Sequence, residues 1–321
     1  MTKLLAACLA LALSSAALAA ETLPTIRAAV LKIGTVNWEL ETISRNGLDR
    51  KHGFVLDVQP FADNGATRIA VEGDEADLAV ADWIWVARQR AAGKDYVFIP
   101  YSKAVGGVVV PSGSPATSLK DLAGGKIGIA GGPLDKSWLI LRAYAAKEYG
   151  MDLKADTEQV FGAPPLIFKS ALNGDYAGAI NFWHFLAKMK ASGMKELISV
   201  EDAGQALGLD TNTPLLGYYL KESFLNEDPD LAQSLFAASR DAKDLLANSP
   251  EAWEAIRPRM NVKSDAQFEQ LKFDWIAGIP DRRPVDAVAA NRMLELMAEL
   301  GGAELVGAAT TVPQGLFADV E

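Results

Sequence analysis

Short apolar runs and amphipathic stretches alternate along the first two thirds of the chain. Thr25–Val30 (TIRAAV), Phe54–Pro60 (FVLDVQP), Leu78–Ala81 (LAVA), Tyr96–Tyr101 (YVFIPY) and Val105–Pro111 (VGGVVVP) each read as a strand. So do Lys126–Ala130, Thr157–Phe161, Tyr176–Asn181, Glu196–Val200 and Leu216–Lys221. Between them the apolar positions recur at helical spacing. Lys32–Glu41 is a turn entering a helix that runs to Leu48; Asn64–Glu72, Asp82–Ala92, Pro164–Asn173 and Phe182 to about Ser192 are further helices. Beyond residue 221 the pattern is almost wholly helical, broken near Pro250, Pro258 and Pro280, with Gly301–Glu321 as a partly ordered tail. Alternation of this kind predicts an α/β chain with mixed, mostly parallel sheets and a helical C-terminal region.

One stretch shows the local logic. In KIGIAGGPLDKSWLILRAYAAKEYG (126–150), Gly131-Gly132 permits a sharp turn after the strand and Pro133 suits a first helical position. Leu134, Trp138, Leu141, Ala145 and Tyr149 then recur on one helical face, and Gly150 is a good stop. The unpaired N–H groups of such a helix start can hold a polar or anionic group. Four strand-to-helix openings of this type occur: Gly34–Glu39, Ala81–Trp85, Gly131–Trp138 and Asn181–His184. Five of the seven tryptophans fall in these windows, which marks them as candidate ligand contacts, since the indole face takes up flat or cationic groups.

Composition narrows the class. Half of the 321 residues are hydrophobic, ample for two domains, and the net charge is −10 with no basic cluster, which argues against nucleic acid as a partner. Lys3, the apolar run Leu4–Leu13 and Ala17-Leu18-Ala19 form a secretory signal peptide with the cut expected after Ala19. The sole cysteine, Cys8, lies within it, too near the start for lipid anchoring to be favoured. The exported chain then has no disulfide, thiol nucleophile or thiolate metal site, and its expected location is the periplasm. Gly-x-Ser-x-Gly, Walker, Gly-x-Gly-x-x-Gly and zinc spacings do not occur, so no catalytic residue, cofactor or metal ligand is assigned.

Extended runs near 102–112 and 203–216 suggest that the chain leaves one domain, builds a second and returns, with a ligand cleft between them at the strands' C-terminal ends. "VEGDEADLAVAD" (71–82), "SLKDLAGGKIGIAGG" (118–132), "ALNGDYAGAINFWHFLA" (171–187) and "YYLKESFLNEDPDLAQSLFAA" (218–238), with the Ile26–Trp38 segment before them, resemble in order the motifs of periplasmic solute-binding proteins of ABC importers. The resemblance is to the nitrate, sulfonate, taurine and thiamine-precursor (NMT1-like) group. It implies a two-lobed type II Venus-flytrap fold, with residues 20–104 plus 214–321 as a discontinuous first lobe and 105–213 as the second. It also implies a small-molecule ligand, closure of the lobes upon it, an inner-membrane ABC permease as partner, a monomer and no enzymatic activity.

The candidate ligand-binding residues are Gly34, Thr35, Asn37, Trp38, Glu39, Asp82, Trp83, Gly132, Asp135, Ser137, Asn181, Trp183 and His184. Trp138 reads as core; Trp83 and Trp85 point to different faces, so at most one meets ligand; Trp38 and Trp183 suit either role. Asp82 and Asp135 suit helix capping. Together with Glu39 and the tryptophans they would equally suit an amine or a flat cationic heterocycle, whereas the group's default is a sulfonate, nitrate or taurine. Two other functions share such an architecture: a periplasmic sensor or accessory subunit of an oxidoreductase system, and an enzyme on the same fold. The cysteine-rich signature of the related pyrimidine synthases is missing.

Overall fold

The computed structural model describes residues 23–320; the segment read as a signal peptide, with Cys8, lies outside them. Ten strands form two five-stranded sheets. The first holds β1 (Thr25–Leu31), β2 (Val55–Phe61), β3 (Leu78–Asp82), β4 (Tyr96–Ser102) and β10 (Leu216–Lys221), in the order β2-β1-β3-β10-β4. The second holds β5 (Gly107–Val110), β6 (Lys126–Ala130), β7 (Glu158–Gly162), β8 (Gly178–Asn181) and β9 (Lys195–Ser199), in the order β7-β6-β8-β5-β9. In each sheet four strands run one way and the fifth, β10 or β5, runs against its two neighbours. Those two are the first strands after each crossing between sheets. The other strands end toward the cleft, so a strand that begins there must run the opposite way.

The helices are α1 (Val36–Arg45), α2 (Leu48–Lys51), α3 (Asn64–Glu72), α4 (Trp83–Ala91), α5 (Lys136–Tyr149), α6 (Pro164–Leu172), α7 (Trp183–Ala191) and α8 (Val200–Ala206). The C-terminal set is α9 (Glu222–Glu227), α10 (Leu231–Asn248), α11 (Pro250–Ile256), α12 (Asp265–Ala277) and α13 (Ala287–Val306). The helix expected to reach Leu48 stops at Arg45, because Gly47 turns into the left-handed region (φ 63°). Residues 200–206, within or beside the run read as extended, are helix α8. The tail is more ordered than its composition suggests. Leu316 and Ala318 hydrogen-bond Phe98 at the outer edge of β4, and Phe317 packs edge-on to Trp83 at 5.8 Å. Covering that edge leaves fewer unpaired strand groups in solvent.

Two short segments, 103–106 and 207–215, join the sheets. In the first, Gly106 lies so close to the Asn181 carbonyl that a Cβ would sit 2.1 Å from its oxygen, so only glycine lets the crossing pass. The helical C-terminal region touches both sheets' helices. α10 packs on α1, whereas α12 packs on α7, where Lys190 pairs with Asp274 at 3.0 Å. A buried aromatic chain runs through this junction: Trp183 meets Trp38 at 5.8 Å, Trp38 meets Trp253 at 6.3 Å, and Trp253 meets Trp275 at 5.3 Å, all near-perpendicular.

Candidate ligand-binding cleft

A cavity of about 360 Å³ opens between the two sheets, within the size range of small-organic-ligand sites. Its floor is the C-terminal end of β1, the C-terminal end of β3 and the crossing segment Ala104–Gly106. Five helix starts or first turns surround it: Gly34–Val36 before and at α1, Asn64, Thr67 and Arg68 from α3, Asp82 before α4, Asp135–Ser137 at α5, and Phe182–His184 at α7.

Of the sequence candidates, Gly34, Thr35, Asp82, Asp135, Ser137, Trp183 and His184 face this cavity. The other six do not line it, for identifiable reasons. Asn37 donates from Nδ2 to the Leu31 and Gly34 carbonyls at 2.7 and 2.8 Å, pinning the β1–α1 turn. Gly132 accepts from the Asp135 backbone N–H at 2.9 Å in the turn before α5. Asn181 is buried, donating to the Pro164 carbonyl at 3.0 Å and accepting from the Phe182 N–H at 2.9 Å. Trp83 is wholly buried against Phe317, and Trp38 is buried in the aromatic chain. Glu39 points away from the cleft into the space between α1 and α10. There its carboxylate accepts from Tyr218 Oη at 2.8 Å and Ser239 Oγ at 2.6 Å and pairs with Lys243. Lys243 Nζ also donates to Ser239 Oγ at 2.6 Å and lies 4.8 Å from the centre of the Tyr101 ring. All five side chains are buried. Burial pushes the lysine below its ordinary range, opposed by the Glu39 charge.

The acids that remain in the cleft are already engaged. Asp82 caps α4 by accepting from the Trp85 N–H at 2.8 Å, and its other oxygen takes Lys136 Nζ at 3.0 Å. That pair ties the end of β3 in one sheet to the start of α5 beside the other. Asp135 caps α5 through the Trp138 N–H at 3.1 Å, and burial raises its carboxyl above the usual range despite Lys136 beside it. By contrast α1 and α7 have no side-chain cap. The Asn37 and Trp38 N–H groups donate back to the Gly34 and Thr35 carbonyls, and the Phe185 N–H to that of Phe182, which leaves the N–H groups of Val36, Trp183 and His184 for a ligand.

Two cations line the cleft: Lys136, which is paired with Asp82, and Arg68, which is not among the sequence candidates. Its guanidinium carbon sits 4.2 Å from the centre of the Trp85 ring, and no ion pair to it is formed among the described residues. Its helical neighbour Glu72, four residues on, pairs with Lys94 instead. The signal was present: β2–α3 is a strand-to-helix opening like the other four, but it carries no tryptophan. His184 contributes a neutral imidazole. Burial first, and Lys188 second, push it down to about 4. Between pH 6.5 and 4 the unfolded chain then binds the extra proton, so the fold loses stability as pH falls through that window. We expect His184→Gln to flatten this part of the stability profile in urea melts; an unchanged slope would show that His184 titrates freely.

Among the described residues, no three His, Cys, Asp or Glu side chains are grouped closely enough to hold a metal ion, and no helix is long and apolar enough to cross a membrane.

Comparison with known proteins agrees with this architecture. The structure is similar to the alkanesulfonate-binding protein SsuA from Xanthomonas axonopodis pv. citri, bound to MOPS, with TM-score 0.68 and 16% identity over 94% of this chain and 100% of that one. It is similar to the periplasmic aliphatic sulphonate binding protein SsuA from Escherichia coli, with TM-score 0.70 and 17% identity over 91% and 98%. A ligand-binding component of an ABC-type import system from Staphylococcus aureus, with zinc bound, gives TM-score 0.63 and 13% identity over 87% and 93%. These likenesses identify a periplasmic binding protein fold. No curated protein sequence matches the chain. Residues 45–253 match the family described as NMT1/THI5 like. With that match spanning well over half its length, the chain belongs to the NMT1/THI5-like family.

Proposed function

We propose that this protein captures a small organic anion between its lobes in the periplasm and delivers it, as a monomer, to an ABC-type importer. Arg68 is the observation that carries the ligand class. It lines the cleft with no ion pair among the described residues, while Asp82 is neutralised by Lys136 and Glu39 is withdrawn to Lys243. An amine would find no free carboxylate except the capping Asp135, whose raised pKa disfavours the charged form. An anionic head group, by contrast, finds a guanidinium, the hydroxyl of Ser137, and the uncapped starts of α1 and α7. Phe182, Val80 and Leu216 give the rest of the molecule an apolar wall. The sulfonate named for two structural neighbours and the signal-type N-terminus support the same reading.

The test is a thermal-shift screen of the protein without residues 1–19 against sulfonates, carboxylates, amines and neutral heterocycles. A ligand at 100 times its Kd adds about 2.7 kcal/mol to stability. Hits confined to anions are expected, and Arg68→Gln should weaken them by about 1.5–3 kcal/mol, tenfold or more in Kd. Hits confined to amines, or an Arg68→Gln variant with unchanged affinity, would overturn the anion reading.

A further inference from the structure

We infer that Trp85 is a positioning residue which, with Tyr96 and Tyr219, holds the Arg68 guanidinium beside the cleft and so sets the site's preference for anions; this rests on the anion reading above. Trp85 does not line the cavity. Its ring lies beneath the Arg68 guanidinium, stacks on Tyr96 at 6.1 Å with 22° between planes, and meets Tyr219 at 5.1 Å. Tyr96 and Tyr219 touch each other at 5.1 Å and belong to the adjacent strands β4 and β10. The platform is therefore anchored to the sheet, while Arg68 reaches it from α3.

The choice of rings has a chemical consequence. A carboxylate partner would order the side chain but cancel its charge. A ring face orders it through the guanidinium's own face and leaves the charge in place. The five N–H donors lie in the guanidinium plane, so stacking leaves them free for a two-pronged grip on a carboxylate or sulfonate. The acids that could compete are occupied: Glu72 by Lys94, Asp74 by Lys221, Asp82 by Lys136 and Asp63 by capping α3. The ordering entropy of a long side chain is thus spent before the ligand arrives.

Two readouts test this. Calorimetry would use benzenesulfonate and its uncharged near-isostere benzenesulfonamide. Trp85→Leu is expected to weaken benzenesulfonate about tenfold and leave benzenesulfonamide unchanged, with Trp85→Phe restoring most of the difference. In parallel, NMR of the ligand-free protein should show an ordered, slowly exchanging Arg68 Nε–H that is lost in Trp85→Leu. Equal weakening of both probes, or an Arg68 signal indifferent to Trp85, would overturn the positioning role. Failure of the anion reading looks different: the wild type would not favour benzenesulfonate, or Arg68→Gln would not remove the preference, while the Arg68 signal still depended on Trp85.

Discussion

Lys243→Met is expected to destabilise the protein by about 3–5 kcal/mol, although the side chain is nowhere near the cleft. The substitution nearly preserves volume, so the cost is not a cavity. It strands the Glu39 carboxylate at 0% exposure, with hydrogen bonds from Tyr218 and Ser239 but no countercharge. Desolvating a charge without a partner costs more than any contact the methionine adds. The double variant Glu39→Leu/Lys243→Met removes both charges and should recover most of the loss. Urea denaturation of the two single variants and the double closes the cycle. A double variant as unstable as the sum of the singles would show that the pair is not the source of the effect.

The second large effect concerns the aromatic chain. Trp38→Ala should cost about 3–5 kcal/mol, because it empties a buried volume between Trp183 and Trp253 that rigid neighbours cannot refill. Sequence reasoning left Trp38 open between a core and a ligand role, and its burial of all but 4% decides for the core. Trp183 differs: it lines the cleft and also ends the aromatic chain, so its loss is expected to affect stability and affinity together. For Trp38→Ala the midpoint of unfolding should fall steeply; a fall in ligand affinity with an unchanged midpoint would refute the core assignment.

What could be read from the sequence, and what could not, divides along contact range. Helix α3 was legible at its actual bounds, because its apolar spacing is local. The capping roles of Asp82 and Asp135 were legible because capping acids act three residues away, but α5 starts at Lys136, beyond Pro133, the residue whose sequence context suits a first helical position. The partner of Glu39 lies 204 residues further along the chain, and nothing local distinguishes an acid in a first helical turn that faces ligand from one that faces a distant lysine. Arg68 was hidden by the same locality. An arginine with a glutamate four residues on reads as a solvated surface pair, and only Lys94, 22 residues beyond Glu72, breaks that pattern. Trp83 and Trp85 do point to different faces, as helical spacing requires, but Trp83, the candidate ligand contact of the two, is buried against Phe317, and Trp85 lies under Arg68 outside the cavity lining.

The antiparallel strand inserted in each sheet has a consequence for the order in which the molecule can be built. All five strands of the second sheet come from residues 107–199, so this sheet has every partner it needs once that stretch is made. The first sheet does not. β4 pairs only with β10 among the strands, and β10 begins at Leu216, more than a hundred residues after β4 ends at Ser102. Until those residues arrive, one edge of the first sheet has no strand beside β3 and the Tyr96–Tyr219 contact beneath Arg68 does not exist. A continuous unit folds while an interrupted one waits. The corner of the cleft around Arg68 is therefore among the last parts of the structure to form, and a chain truncated before Leu216 would keep every strand of the second sheet while lacking β10 and the Tyr219 contact.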